Sequence, residues 1–276
     1  MTTAPAVAPA AGAAATPMPL VWKLGTLAVA GAMAVATWLG LTTVVPFPPE
    51  AGIHQEAIYR TFFFHVPTAI NSKVMLFWVL GVSVLWLLAR PLETTAAAGR
   101  VARVRASLYR RRDLLDRINL ACAEMSLAGY TFVLISGMIW ADSAWGKPWS
   151  WEPRLTSVAV MWFQLVGVLL LRGAVDDRER RQRFGAVFGI ILFISVPFIS
   201  FATTWFAEQF HPGANASKEA IGYKDVQGVF TFCIFAIMAL FHLLVMFRVR
   251  AEGLRRRVEV LTQAQWPVTA RQAPAG

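Results

Sequence analysis

Six runs of apolar residues divide this chain, at about 21–43, 66–89, 118–140, 155–172, 185–206 and 227–247. About 20 helical residues cross the hydrocarbon core of a bilayer. Lipid offers no partner to a bare backbone N–H or C=O, so each run must fold as helix. Composition agrees with this. Hydrophobic residues make up 57% of the 276 and charged residues 15%, against about 25% charged in soluble domains. The expected fold class is all-α: a polytopic integral membrane protein with six transmembrane helices. The fourth run is short if it stops at Arg172, which predicts that the loop before it dips into the membrane interface.

Lys and Arg give the expected orientation, since they concentrate on the cytoplasmic side. Segment 90–117 holds eight arginines, segment 172–183 five, and the tail from 248 six. Lys23 joins that side. The opposite side has only Arg60, Lys147, Arg154, Lys218 and Lys224. Both termini are therefore expected in the cytoplasm, with outer loops at 44–65, 141–154 and 207–226. The net charge of +10 is then topological and calls for no nucleic acid. Residues 1–19, Ala/Pro-rich and uncharged, read as a disordered tail before a retained first span, because no basic segment precedes the apolar core as in a secretory signal. Residues 249–276 read as a basic cytoplasmic tail. Cys122 and Cys233 lie inside apolar runs and are expected as buried free thiols.

The middle outer loop stands out. Trp140, Trp145, Trp149 and Trp151 fall within twelve residues, spaced by Gly, Pro and Ser. An interfacial loop needs one or two such anchors. Four suit a platform for a large flat apolar ligand. Three of the four histidines share this face, His54, His65 and His211, and two of them stand among aromatics close to a proline: His65 in Phe62-Phe63-Phe64-His65-Val66-Pro67, and His211 in Phe210-His211-Pro212. A histidine alone at an interface is usually an anchor. Two at one depth, on separate helices beside a tryptophan platform, can hold a metal between them. The guest that suits both is a metalloporphyrin with two axial histidines. Arg154 and Lys147 flank the tryptophans as partners for its carboxylates. His54 lacks aromatic company, and His242 lies toward the inner side and reads as structural. Lys73 and Glu124 are charges within spans, close enough to an interface to snorkel.

Trp145-Gly146, Trp149-Ser150-Trp151-Glu152-Pro153-Arg154-Leu155-Thr156 resembles the W-G-x-x-W-x-W-D-x-R-L-T signature of haem-handling proteins in cytochrome c biogenesis. Phe64-His65-Val66-Pro67 and Trp205-Phe206 with Phe210-His211 resemble that group's two histidine motifs. Six spans with one signature resemble the CcmC family most. The resemblance covers about residues 20–248, which it implies form one haem-handling domain. It implies haem b bound through His65 and His211 at the periplasmic face of a bacterial inner membrane. Trp145, Trp149 and Trp151 would form the platform, with Trp140 beside them. It also implies a binding and transfer role, not an enzymatic one. The haem would pass to the chaperone CcmE, in company with CcmD and the CcmA–CcmB transporter. This chain departs from the signature at Glu152, where the family has Asp, at Pro153, which restricts Glu152 to extended backbone, and at Pro212.

Two other classes use similar parts. A membrane cytochrome b-type quinol oxidoreductase also needs histidine pairs, but sets them deeper and often stacks two haems. A secondary transporter needs a polar site at mid-membrane, where these runs are poor in polar groups.

Overall fold

A computed structural model of the chain describes residues 19–43, 60–89, 99–205 and 224–272. These fold into seven α-helices: α1 (Leu20–Thr42), α2 (Phe62–Leu88), α3 (Arg100–Arg110), α4 (Arg112–Trp145), α5 (Pro153–Ala174), α6 (Arg178–Trp205) and α7 (Lys224–Gln272). All except α3 are long and apolar enough to cross a membrane. The protein is a polytopic, all-helical membrane protein, as its apolar runs predict. The expected short fourth span is corrected: α5 has 22 residues, a rise of about 33 Å. Arg172 does not end it.

Helix α2 is central and packs on α4, α6 and α7, while α1 lies on α7 and α5 bridges α4 and α6. Met75, Leu76 and Val79 of α2 meet Tyr130 of α4, Met161 and Leu165 of α5, Leu192 of α6 and Phe241 of α7 in one buried cluster. Outward-facing side chains are apolar as well. Phe163 is 67% exposed, which suits a surface solvated by lipid and not by water.

Apolar burial does not hold helices together in lipid; close packing and interhelical hydrogen bonds do. Both are present. Ser126 Oγ donates to Ser72 O (3.0 Å), Asn119 Nδ2 to Ser83 Oγ (2.8 Å), Asn71 Nδ2 to Ile234 O (3.1 Å), Trp162 Nε1 to Thr131 Oγ1 (2.8 Å) and Ser195 Oγ to Gln164 Oε1 (2.8 Å). Glycines allow the approach. A Cβ at Gly129 would collide with Ser72 Oγ, and one at Gly189 with Ser83 Oγ and with Val79 Cγ1 at 2.9 Å. Gly129→Val is therefore expected to lower stability by about 1–3 kcal/mol, the usual cost of overpacking. Thermal melting in detergent checks this, and an unchanged midpoint would contradict it.

The two ends of the bundle differ in kind. The α4–α5 junction lies at the aromatic end. Gly146, at φ 69°, ends α4 with a left-handed cap whose N–H bonds Asp142 O at 2.8 Å, a conformation that favours glycine. Glu152, in extended backbone, opens α5, and Pro153 takes its first turn, where the missing N–H costs nothing. The junction is thus fixed on both sides, with Lys147–Trp151 held between two rigid stops.

The other end is an ion network. Arg172 Nη2 bonds Asp116 Oδ1 at 2.7 Å, with side chains only 6% and 2% exposed. Arg256 bonds Asp116 (2.9 Å) and Glu252 (3.1 Å), and also Asp113. Arg178 joins Asp113. Arg248 grips Glu124 with two nitrogens, at 2.6 and 2.9 Å. Arg172 also fills the space where a Cβ on Gly185 would stand. The residues past 248, expected as a tail, continue α7 without a break to Gln272. Arg248–Glu252 and Arg255–Glu259 pairs one turn apart support that continuation.

Candidate functional site

The antiparallel register of α2 and α4 runs the length of the bundle. Trp86 stands against Arg112, Ser83 against Asn119, Ser72 against Gly129 and His65 against Ser136. His65 therefore lies at the aromatic end, on the first turn of α2. Its Nδ1 is 2.8 Å from Ser136 Oγ, and its Cε1 would be 3.1 Å from a Cβ on Gly137. Trp140 shares that face of α4 one turn farther out, since residues four apart align. Trp145 closes the same helix.

Trp149 and Trp151 follow in the junction. Their rings meet edge to face, 5.5 Å between centroids at 82°, a favoured aromatic geometry. Trp151 is 81% exposed and offers a large apolar surface. Trp149 is half-buried, as is Arg154, and Lys147 is exposed. Arg154, on the first turn of α5, is within electrostatic reach of Lys73 of α2. Glu152 is buried at the start of α5, two residues before Arg154, in the extended backbone that Pro153 predicts.

Trp149 Nε1, Ser150 Oγ and Thr156 Oγ1 are among the buried polar atoms of this stretch that make no hydrogen bond among the described residues. Buried polar groups are rarely left so. Together with Arg154, they fit a guest that brings carboxylate oxygens, and the indoles fit one with an apolar face. The donor set therefore suits a haem. His65 would supply one axial nitrogen. His211, the expected second ligand, and His54 lie outside the described residues. Helix α6 nonetheless leads to the right end. It packs along α2, with Phe193 against Phe77 (4.8 Å) and Gly189 against Ser83, and its last residue is Trp205, six before His211.

The remaining singled-out residues have structural roles. His242 is engaged at both nitrogens: Nδ1 lies 2.7 Å from Met238 O, and Nε2 accepts from Trp78 Nε1 at 3.1 Å. It is the structural histidine that its position predicts. Glu124 is tied to Arg248. Cys122 and Cys233 are buried free thiols. Sequence reasoning missed Ser136 and Gly137. It also missed that Arg172 is a buried ion-pair partner and not a surface charge.

The heme exporter protein C model, CcmC, matches residues 101–264. Among curated proteins, heme exporter protein C of Bradyrhizobium diazoefficiens is 29% identical over 243 residues, 84% of this chain and 83% of its own. The Escherichia coli K12 protein of that name is 28% identical over 226 residues, 77% and 81% of the two chains. That of Paracoccus denitrificans is 29% identical over 237 residues, 84% and 88%. With its family model matched over more than half its length and these relatives aligned over most of theirs, the chain belongs to the heme exporter protein C family.

Proposed function

We propose that this protein binds haem b at the aromatic end of its bundle and hands it to a haem chaperone during cytochrome c assembly. What supports the reading is that one end of the bundle carries His65 on the first turn of α2, the edge-to-face Trp149–Trp151 pair in the α4–α5 junction, and Arg154 on the first turn of α5. Haem, when bound, supplies an iron that accepts two axial nitrogens and two propionates that accept charged hydrogen bonds. His65 and His211 would hold the iron. Trp140, Trp145, Trp149 and Trp151 would cover the ring, with Arg154 and Lys147 answering the propionates. The role is binding and transfer, not chemistry on a substrate. Ligands on separate helices suit release, because a small shift of one helix loosens one bond.

The arginine bias puts the ion-network end in the cytoplasm and the aromatic end in the periplasm of a bacterial inner membrane. Residues 20–248 form the haem-handling domain in this reading, residues 1–19 and 249–276 its cytoplasmic flanks. CcmE is the receiving chaperone, with CcmD and CcmA–CcmB as companions. Exposed Lys147 offers a direct test of sidedness. Lys147→Cys in spheroplasts is expected to react with a membrane-impermeant maleimide added outside, while the buried native thiols stay unlabelled. Labelling only after lysis would invert the topology.

Transfer is tested with purified components. Haem-loaded protein mixed with haem-free CcmE is expected to pass its haem across, seen as a change in the visible spectrum. Haem that stays in place with CcmE and the companion proteins all present would contradict the proposed handover.

A further inference from the structure

We propose that Ser136 is a positioning residue that sets the tautomer of His65, with Gly137 making room for the ring. Ser136 sits on α4 in an apolar stretch that includes Val133, Leu134, Ile135 and Met138. Its hydroxyl has one proton. Phe132 O, one turn back, lies 2.7 Å from Ser136 Oγ, and Val133 O lies at 3.4 Å. A carbonyl oxygen only accepts, so the proton is committed to the helix backbone. What Ser136 Oγ has left for α2 is lone pairs. His65 Nδ1, 2.8 Å away, is then the donor. A neutral imidazole carries one proton; with it on Nδ1, the lone pair that can bind a metal is on Nε2.

Gly137 completes the arrangement. A Cβ there would stand 3.1 Å from His65 Cε1, closer than the ring tolerates without moving. Adjacent residues of α4 thus supply the acceptor and the space. Metal-binding histidines usually donate their second N–H to an outer partner, which fixes ring orientation and raises ligand basicity. That partner is often a carboxylate or backbone carbonyl. Here it is a serine hydroxyl whose own proton is locked to its helix.

The consequence for haem rests on the reading of His65 as a ligand; the tautomer does not. Histidine labelled with 15N in the haem-free protein at pH 8 reports the tautomer directly, the His65 signal being the one lost in His65→Ala. Wild type and Ser136→Thr are expected to show Nδ1–H. Ser136→Ala, which adds no bulk, is expected to show a mixture with Nε2–H. In the haem-loaded protein, Ser136→Ala is expected to release haem about 10-fold faster or more, in line with the loss of an outer partner, and Ser136→Thr to restore retention. An unchanged His65 tautomer in Ser136→Ala would overturn the proposal, even if His65→Ala still loses haem. A changed tautomer with unchanged haem release would uphold Ser136 as the tautomer's determinant and instead remove His65 from the iron.

Discussion

His65→Ala is expected to reduce haem retention by about 100-fold or more, exceeding the 10–100-fold loss that follows removal of a mere outer partner. Haem that remains should turn from low-spin to high-spin, because one axial nitrogen is gone. The loss should come without general damage. His65 stands on the first turn of α2 at the end of the bundle, and the buried cluster around Met75, Leu76 and Val79 does not include it. The melting temperature of the haem-free variant should therefore stay close to wild type. His211→Ala should copy the effect on haem. In cells, either variant should block assembly of c-type cytochromes while the membrane protein itself accumulates. Haem content and spectra of the two purified variants, read beside their melting curves, check this. Retention in His65→Ala equal to wild type would remove this histidine from the iron.

Asp116→Asn is expected to have the largest effect on stability, about 3–5 kcal/mol, through a different route. Asp116 is the buried counter-ion of two arginines from two other helices, Arg172 of α5 and Arg256 of α7. Removing one partner of a buried pair leaves an uncompensated charge, which costs far more than the pair itself contributes. Arg172 would suffer most, having no second acid among its described ion pairs. Arg256 would keep Glu252 and Asp113. The reverse change, Arg172→Met, should cost less, since Asp116 would retain Arg256. The double variant Asp116→Asn/Arg172→Met should recover part of the loss, because no orphaned cation remains on α5. Melting in detergent and steady-state abundance in membranes measure all three. An Asp116→Asn protein as stable as wild type would show that the network is solvated and does not bind the helices.

The membrane architecture was legible because lipid imposes a length. The run expected at 21–43 became α1 (Leu20–Thr42), and that at 66–89 became α2 (Phe62–Leu88), which starts four residues earlier and ends one sooner. Apolarity stops where the membrane stops, however, and helices do not. Helix α4 starts at Arg112, well before the apolar run at 118, because Asp113 and Asp116 find Arg256 and Arg172 across the bundle and Arg117 finds the Val249 carbonyl. Helix α7 runs past 248 for the same reason. Arg172 looked like a boundary charge; only the pairing of α4 with α5 shows that it is buried against Asp116.

The candidate site divides along similar lines. His65 and the tryptophans were legible because imidazole and indole carry specific chemistry wherever they occur. Glu152 in extended backbone was legible from the proline after it. Ser136 and Gly137 left no mark, since a small polar residue or a glycine inside an apolar run is ordinary helix-packing material. Their meaning depends on which residue of α2 faces them, and that is set by register over the whole α2–α4 pair.

Optical and electron paramagnetic resonance spectra of the wild-type protein, purified after expression with ample haem, test the proposed site most directly. Ligation by His65 and His211 predicts stoichiometric haem in a low-spin, bis-imidazole state, converted to high-spin or lost in the double His65→Ala/His211→Ala variant. A purified protein with no haem signal, or a double variant that keeps the low-spin spectrum, would contradict it.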